Sequence, residues 1–307
     1  MLKGVLKRKL ERKIIISLIT LFLLLIIYLL PEKKSFEETV VYNDNFNYIY
    51  VLSDKNLLVR TSVISNESDI LNKVKEIITS LTINGKVSQY LDKKLTAIIP
   101  EDTKIIELDL IDGVLKINFS KDLLNIDKRL EEKLVESLVY SLTELDEING
   151  IMIFVEGNIL NKLPNSNKSL PILLTRDFGI NKVYNITNIS STSMMTIYYF
   201  TNIGNNYKVV PVTIFSNNDN DKIEVIVKNL KSSSFYQSDL VSFLNNNIQL
   251  LDYELEENRI KLDFNNALLD SFYDDSLLEE VKYAIAKSFE DSLNIDEVLL
   301  FVNGKEI

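Results

Sequence analysis

Val114-Leu115-Lys116-Ile117-Asn118-Phe119-Ser120 and Arg259-Ile260-Lys261-Leu262-Asp263-Phe264-Asn265 are one stretch written twice. Lys116 aligns with Lys261, Phe119 with Phe264 and Leu123-Leu124 with Leu268-Leu269, all at an offset of 145 residues. Further on the offset becomes 147, where Leu134, Leu138, Ser141 and Leu142 meet Val281, Ile285, Ser288 and Phe289. Phe154-Val155-Glu156-Gly157 meets Phe301-Val302-Asn303-Gly304 at that second offset. The two extra residues fall in the loop before a helix, where insertion is tolerated. Upstream, Tyr48-Ile49-Tyr50 resembles Tyr198-Tyr199-Phe200 more weakly. Two copies of roughly 110 residues indicate a duplicated domain, since solenoid periods run from about 20 to 50 residues.

Periodicity assigns the same elements to each copy. In the first, Phe46–Leu52 and Leu57–Ile64 read as strands around a polar turn. Asp69 to Leu81 is a helix with Ile70, Val74, Ile77, Ile78 and Leu81 on one stripe. Lys104–Leu110 and Val114–Phe119 alternate like a half-buried hairpin, and Asp112-Gly113 between them is a type I′ turn signal. Asp127 to Leu145 is a long amphipathic helix, with Asp127 as N-cap and Arg129 to Lys133 as a solvated face. Ile151–Val155 closes the copy. The second copy repeats the order with a helix at Lys222–Leu230 and strands at Leu250–Leu255 and Arg259–Phe264. A helix at Asp274–Leu293 and a strand at Glu297–Val302 follow. The expected class is α+β: two repeated sandwich-like domains, each a helix-strand-strand-helix-strand core behind a β-hairpin, with helices on one sheet face.

Ahead of the repeats, Ile14 to Leu30 is an apolar run without a charge. As a helix it would rise about 25 Å, near the lower limit for crossing a bilayer. Six basic residues (Lys3, Lys7, Arg8, Lys9, Arg12, Lys13) precede it and would stay cytoplasmic. No small-x-small site follows, so an uncleaved anchor is expected. The expected organisation is a cytoplasmic basic segment at 1–13, a transmembrane anchor at 14–30 and a stalk at 31–44. Then come a first domain at 45–160, a connector at 161–194 and a second domain at 195–307. Within the connector, Leu170–Ile180 has enough apolar weight to pack on a domain.

Composition excludes several chemistries. The 307 residues include no His, no Cys and no Trp, so His triads, Cys nucleophiles, His or Cys zinc sites and disulfides are impossible. The net charge is −10 although the first residues are basic, so the body is acidic and nucleic-acid binding is not expected. There is no phosphate loop and no Ser-x-x-Lys. Asp109, Asp112, Asp252, Glu254, Glu256 and Glu257 alternate with apolar residues and read as a solvated face, while Asp274-Asp275 suits a helix N-terminus. Asn217, Asp219 and Asp221 open like a calcium loop, but Lys222 stands where the Gly is needed. No cofactor and no metal are expected. The aromatic clusters at Tyr48, Tyr50 and Tyr198 to Phe200 read as strand packing, with wall-sugar stacking as the alternative.

A hairpin ending Lys116-Ile117-Asn118-Phe119-Ser120-Lys121-Asp122-Leu123, a helix with Ser141-Leu142-Thr143-Glu144, and a strand closing in Val155-Glu156-Gly157 resemble the GerMN domain. That family belongs to GerM-like sporulation and spore germination proteins, and the resemblance covers roughly residues 46–307. It implies motif residues Asp112, Gly113, Asn118, Phe119, Ser120, Thr143, Glu144 and Gly157, with Asp263, Phe264 and Gly304 in the second copy, all structural. Thr175 to Asn181 sits where the family has its interdomain connection. The core order is also that of the ring-building motif. The resemblance implies a non-enzymatic, membrane-anchored extracytoplasmic scaffold in an envelope complex between mother cell and forespore, with self-association as one mode. A peptidoglycan-binding envelope module is the alternative. Family members are often lipoproteins, whereas this chain, without Cys, would depend on its helix.

Overall fold

The structure is a computed structural model. It describes residues 46–307 except 86–87, 89–90, 188–191, 205, 218–220, 233–238 and 273–274. The basic segment, anchor and stalk lie outside the described residues, as do Asp219 and Asp274. Among the described residues no helix is long and apolar enough to cross a membrane. Residues 45–307 form one compact unit containing both repeats.

The first repeat opens with an antiparallel hairpin, β1 (Phe46–Ser53) and β2 (Leu58–Ile64). Helix α1 (Ile70–Leu81) starts where the Asp69 carboxylate accepts the Asn72 N–H at 3.0 Å, and it buries Val74, Ile77, Ile78 and Leu81. The short β3 (Leu95–Thr96) then adds to the end of β1. Next come β4 (Ile105–Ile111) and β5 (Val114–Phe119), joined at Asp112 (φ 49°) and Gly113 (φ 76°). Positive φ at both central residues makes this the expected type I′ turn. Helix α2 (Glu131–Leu142) crosses over to β6 (Gly150–Val155), which runs parallel to β5. Glu156 (φ 49°) and Gly157 (φ 77°) make a second turn of the same kind into β7 (Asn158–Ile159). The sheet order β4-β5-β6-β7 buries Leu115, Ile117, Phe119, Ile151, Ile153 and Val155 on its helix side.

The connector contributes β8 (Val183–Asn185), which runs parallel to Ile214–Ser216 of the second repeat. The second repeat has hairpin β9 (Ser193–Ile203) and β10 (Asn206–Ser216), helix α3 (Lys222–Lys231), and strands β11 (Leu250–Leu255) and β12 (Arg259–Phe264). A short α4 (Ala267–Asp270) precedes the long α5 (Asp275–Leu293), and β13 (Glu297–Val302) turns through Asn303-Gly304 into β14 (Lys305–Glu306). The second four-stranded sheet, β11-β12-β13-β14, has the topology of the first.

Three expectations need correction. Helix α2 begins at Glu131 with Leu130 as N-cap. Asp127 instead sits in the turn ahead of it, accepting the Arg129 N–H at 2.8 Å. Second, the face from Arg129 to Lys133 is not solvated throughout. Glu131 is buried, because its carboxylate accepts the Asn165 and Ser166 N–H groups of the connector. Third, the weak upstream match is out of register by two residues. Tyr50 N–H meets Ser141 Oγ at 2.8 Å and Tyr198 N–H meets Ser288 Oγ at 3.0 Å, so Tyr50 corresponds to Tyr198. The alternation of apolar residues on a strand conceals a slip of two, because every side chain keeps its face.

Candidate functional site

The motif residues fall into two groups. Asn118 Oδ1 accepts the Gly157 N–H at 2.9 Å, and Asp263 accepts the Gly304 N–H at 3.0 and 3.1 Å, so both close the turn after the last core strand. Ser120 Oγ accepts the Lys104 N–H at 3.1 Å, and Asn265 Oδ1 accepts the Gln249 N–H at 3.1 Å, tying hairpin ends together. Phe119 and Phe264 are fully buried beneath the helices. Asp112 and Gly113 form the hairpin turn.

Thr143 and Glu144 lie elsewhere, at the C-terminal end of α2, where the two repeats meet. Glu144 is nearly buried and is surrounded by donors. Tyr50 Oη lies at 2.8 Å and Tyr283 Oη at 3.0 Å from Oε1, Arg176 Nη2 at 2.9 Å from the same oxygen, and Arg60 Nη2 at 3.2 Å from Oε2. Tyr283 belongs to the second repeat, and Arg176 to the connector. The Arg60 guanidinium is held between the rings of Tyr48 and Tyr283, at 3.5 and 3.8 Å from their centres.

Arg176 also reaches the equivalent acid of the second repeat. Its Nη1 lies 3.1 Å from Asp291 Oδ2 and 2.7 Å from Tyr198 Oη, while its Nε donates to Thr143 Oγ1 at 3.0 Å. Tyr198 Oη donates to Asp291 at 2.5 Å. Asp291 is Glu144 shifted by the repeat offset of 147. One arginine from the connector therefore joins two duplicated Tyr-acid pairs. A cleft of about 690 Å³ opens beside it, lined by Thr143, Asp177, Lys287 and Glu290 among others.

Charge is balanced by contact here. Burial alone would raise the Glu144 pKa, but Arg60 and Arg176, with hydrogen bonds from Tyr50 and Arg176, bring it to about 2. Burial works against the Arg176 charge, and Asp291, Tyr198 and Glu144 overcome it, holding its pKa well above the ordinary value. Glu144 therefore stays a carboxylate at any physiological pH and has no proton to give as a general acid.

A second junction lies along α2. Asn181, in the left-handed conformation at φ 48°, accepts the Leu58 N–H at 2.9 Å and donates to Leu58 O and Pro211 O, both at 2.8 Å. Pro211 has no N–H to offer, and β2 and β10 belong to separate sheets. The Asn181 amide bridges the two strand backbones. Of the expected connector packing, Leu174 and Ile180 are buried, whereas Ile172 and Leu173 stay exposed.

The acids expected on a wet face stand there: Asp109 is paired with Lys116 at 4.0 Å, and Glu254 with Lys261 at 2.8 Å. Asp221 caps α3, accepting the Ile223 N–H at 2.8 Å. Among the described residues no group of three acids converges as a metal site. Of the aromatics, Tyr50, Tyr198, Tyr199 and Phe200 are buried, and Tyr48 is partly exposed over Arg60. Sequence reading missed Arg60 and Asp291, and placed Arg176 and Asn181 in the interdomain connection without a role. The signal for Asp291 was that it repeats Glu144 at the repeat offset.

Comparison with known proteins follows the same division. The family model named Germane, described as sporulation and spore germination, matches residues 48–161 and again 196–307. The chain belongs to the Germane family. The spore germination protein GerM of Bacillus subtilis (strain 168) is 26% identical over 237 residues, which is 75% of this chain and 64% of that protein. The Germane chain thus spans less than two thirds of that relative's length. The solved tandem GerMN domains of the sporulation protein GerM from Bacillus subtilis superpose with a TM-score of 0.73. That match covers 85% of this chain and 91% of the other at 23% identity, and it establishes the shared tandem fold.

Proposed function

We propose that this Germane protein is a non-enzymatic scaffold in sporulation or spore germination, held at the membrane by its N-terminal apolar run. In this reading the body lies outside the cytoplasm and helps to assemble or stabilise an envelope protein complex. The observation that carries it is the junction at Arg176, which uses buried charge to fix one repeat on the other. Such an arrangement favours a rigid two-repeat body that presents surfaces at a set spacing. Its strongly perturbed acid is committed to arginines, and that is the chemistry of a structural lock. The family description and the GerM relative support the developmental context.

The test is light scattering on residues 36–307, alone and with membrane-complex proteins of a sporulating cell, beside localisation of the full chain after fractionation. Expected are membrane recovery of the full chain, its loss when residues 14–30 are removed, and a discrete complex or oligomer of the body. A body that stays monomeric, binds none of those proteins and sediments with purified peptidoglycan would replace this reading with wall binding.

A further inference from the structure

In the first turns of α2, at the opposite end of the helix from Glu144, three side chains with complementary chemistry meet. Lys133 Nζ lies 2.7 Å from Asn181 Oδ1 and 3.4 Å from Glu136 Oε2. The same Glu136 oxygen accepts the Asn181 backbone N–H at 2.9 Å. Asn181 and Glu136 are buried, and Lys133 is mostly so at 16% side-chain exposure. An amine, a carboxamide and a carboxylate are thus held together away from bulk water.

We propose that Lys133 and Asn181 are the two halves of an intramolecular isopeptide bond, with Glu136 as the proton carrier. The ammonium of Lys133 passes a proton to the Glu136 carboxylate, which leaves a neutral amine. Nζ then attacks Cγ of Asn181, a bond forms between Nζ and Cγ, and the Cγ–Nδ2 bond breaks. The departing nitrogen takes up one of the two protons released by Nζ, delivered by Glu136, and leaves as ammonia, while the other proton stays on Glu136. No oxidant or reductant is needed.

The surroundings suit each stage. Asn181 Oδ1 already accepts the Leu58 N–H, a fixed donor where negative charge develops during attack. Nδ2 is held by Leu58 O and Pro211 O, two acceptors for the nitrogen that leaves. Burial raises the Glu136 pKa against the pull of Lys133 and Lys182, favouring the protonated carboxyl that the transfer requires. Lys182, 3.7 Å from Glu136 and 2.8 Å from Glu132, remains as counter-ion once the Lys133 charge is gone. The bond would join α2 of the first repeat to the connector where β2 and β10 meet.

Intact mass spectrometry of the purified full chain tests this directly. The expected mass is about 17 Da below that of the sequence, one ammonia. Proteolysis should release a branched peptide joining the Lys133 and Asn181 segments, and Lys133→Arg should restore the full mass. Succinimide formation at Asn84, Asn149 or Asn303, each followed by Gly, also loses ammonia. That loss would persist in Lys133→Arg and give no branched peptide. Full mass in the folded wild-type protein, with both peptides recovered separately, overturns the proposal even if the variant does not fold.

Discussion

Arg176 satisfies two carboxylates because its guanidinium is planar and carries donors on several edges, a geometry that lysine lacks. Glu144 retains Arg60, Tyr50 and Tyr283 if Arg176 is removed, but among the described residues Asp291 would keep only Tyr198. Arg176→Ala should therefore cost about 3–5 kcal/mol, the range for breaking a buried ion pair, and Arg176→Lys should recover only part of it. Urea midpoints of the three proteins measure this; equal midpoints would mean the junction adds no stability. The pH dependence has a definite sign. The folded pKa of Glu144 is depressed to about 2, so its contribution is present above the ordinary carboxylate range and lost as pH falls towards 2. Glu136 acts oppositely, because burial raises its pKa and its charged form costs stability as pH rises. Comparing wild type with Glu144→Gln isolates the first effect. The stability gap should be widest near pH 7 and narrow steadily as pH falls from the ordinary carboxylate range to about 2, and a gap constant with pH would contradict the assignment.

At the scale of elements, each long helix covers an otherwise open strand edge with hydroxyls. β1 pairs with β3 only at Leu52 and Ser53, which leaves Tyr50 open on that side. Ser141 accepts its N–H, and Ser137 donates to its carbonyl at 2.6 Å. In the second repeat Ser288 accepts the Tyr198 N–H, and Ser292 Oγ accepts the Thr196 N–H at 3.0 Å and donates to its carbonyl at 3.1 Å. Small polar residues let the helix come close and satisfy backbone groups that would otherwise template another chain. Ser141→Ala and Ser288→Ala should each cost about 1–3 kcal/mol, the penalty of a buried unpaired N–H. The two sites lie in different repeats, so the double variant should be close to additive. Denaturant titration of the set checks both statements.

For the molecule as a whole, the buried contacts across the repeats argue against two independently melting domains. Arg60 and Glu144 from the first repeat, Arg176 and Asn181 from the connector, and Tyr283 and Asp291 from the second share one interior. Residues 36–307 should unfold in a single transition seen alike by far-ultraviolet circular dichroism and tyrosine fluorescence. Two transitions in the wild type would show that the junction does not couple the repeats.

The duplication, the α+β class and most of the longer strands and helices were legible in the sequence, because alternation and helical spacing report which face of an element is buried. Asp112-Gly113 announced its turn, since few residue pairs accept positive φ twice in succession. Asn303-Gly304 carried the same signature, whereas Glu156-Gly157 did not, because Glu rarely takes positive φ, and the return strands β7 and β14 were too brief to leave a pattern. The start of α2 was misread because a capping residue and a turn residue look alike before the chain is folded. What only the tertiary structure decided was the junction. Glu144 read as a structural motif residue with no partner named, Asp291 did not stand out, and Arg176 read as a connector residue. Whether such a charge meets water or a partner depends on contacts between segments up to 139 residues apart, as for Tyr283 and Glu144, and local periodicity carries no record of them.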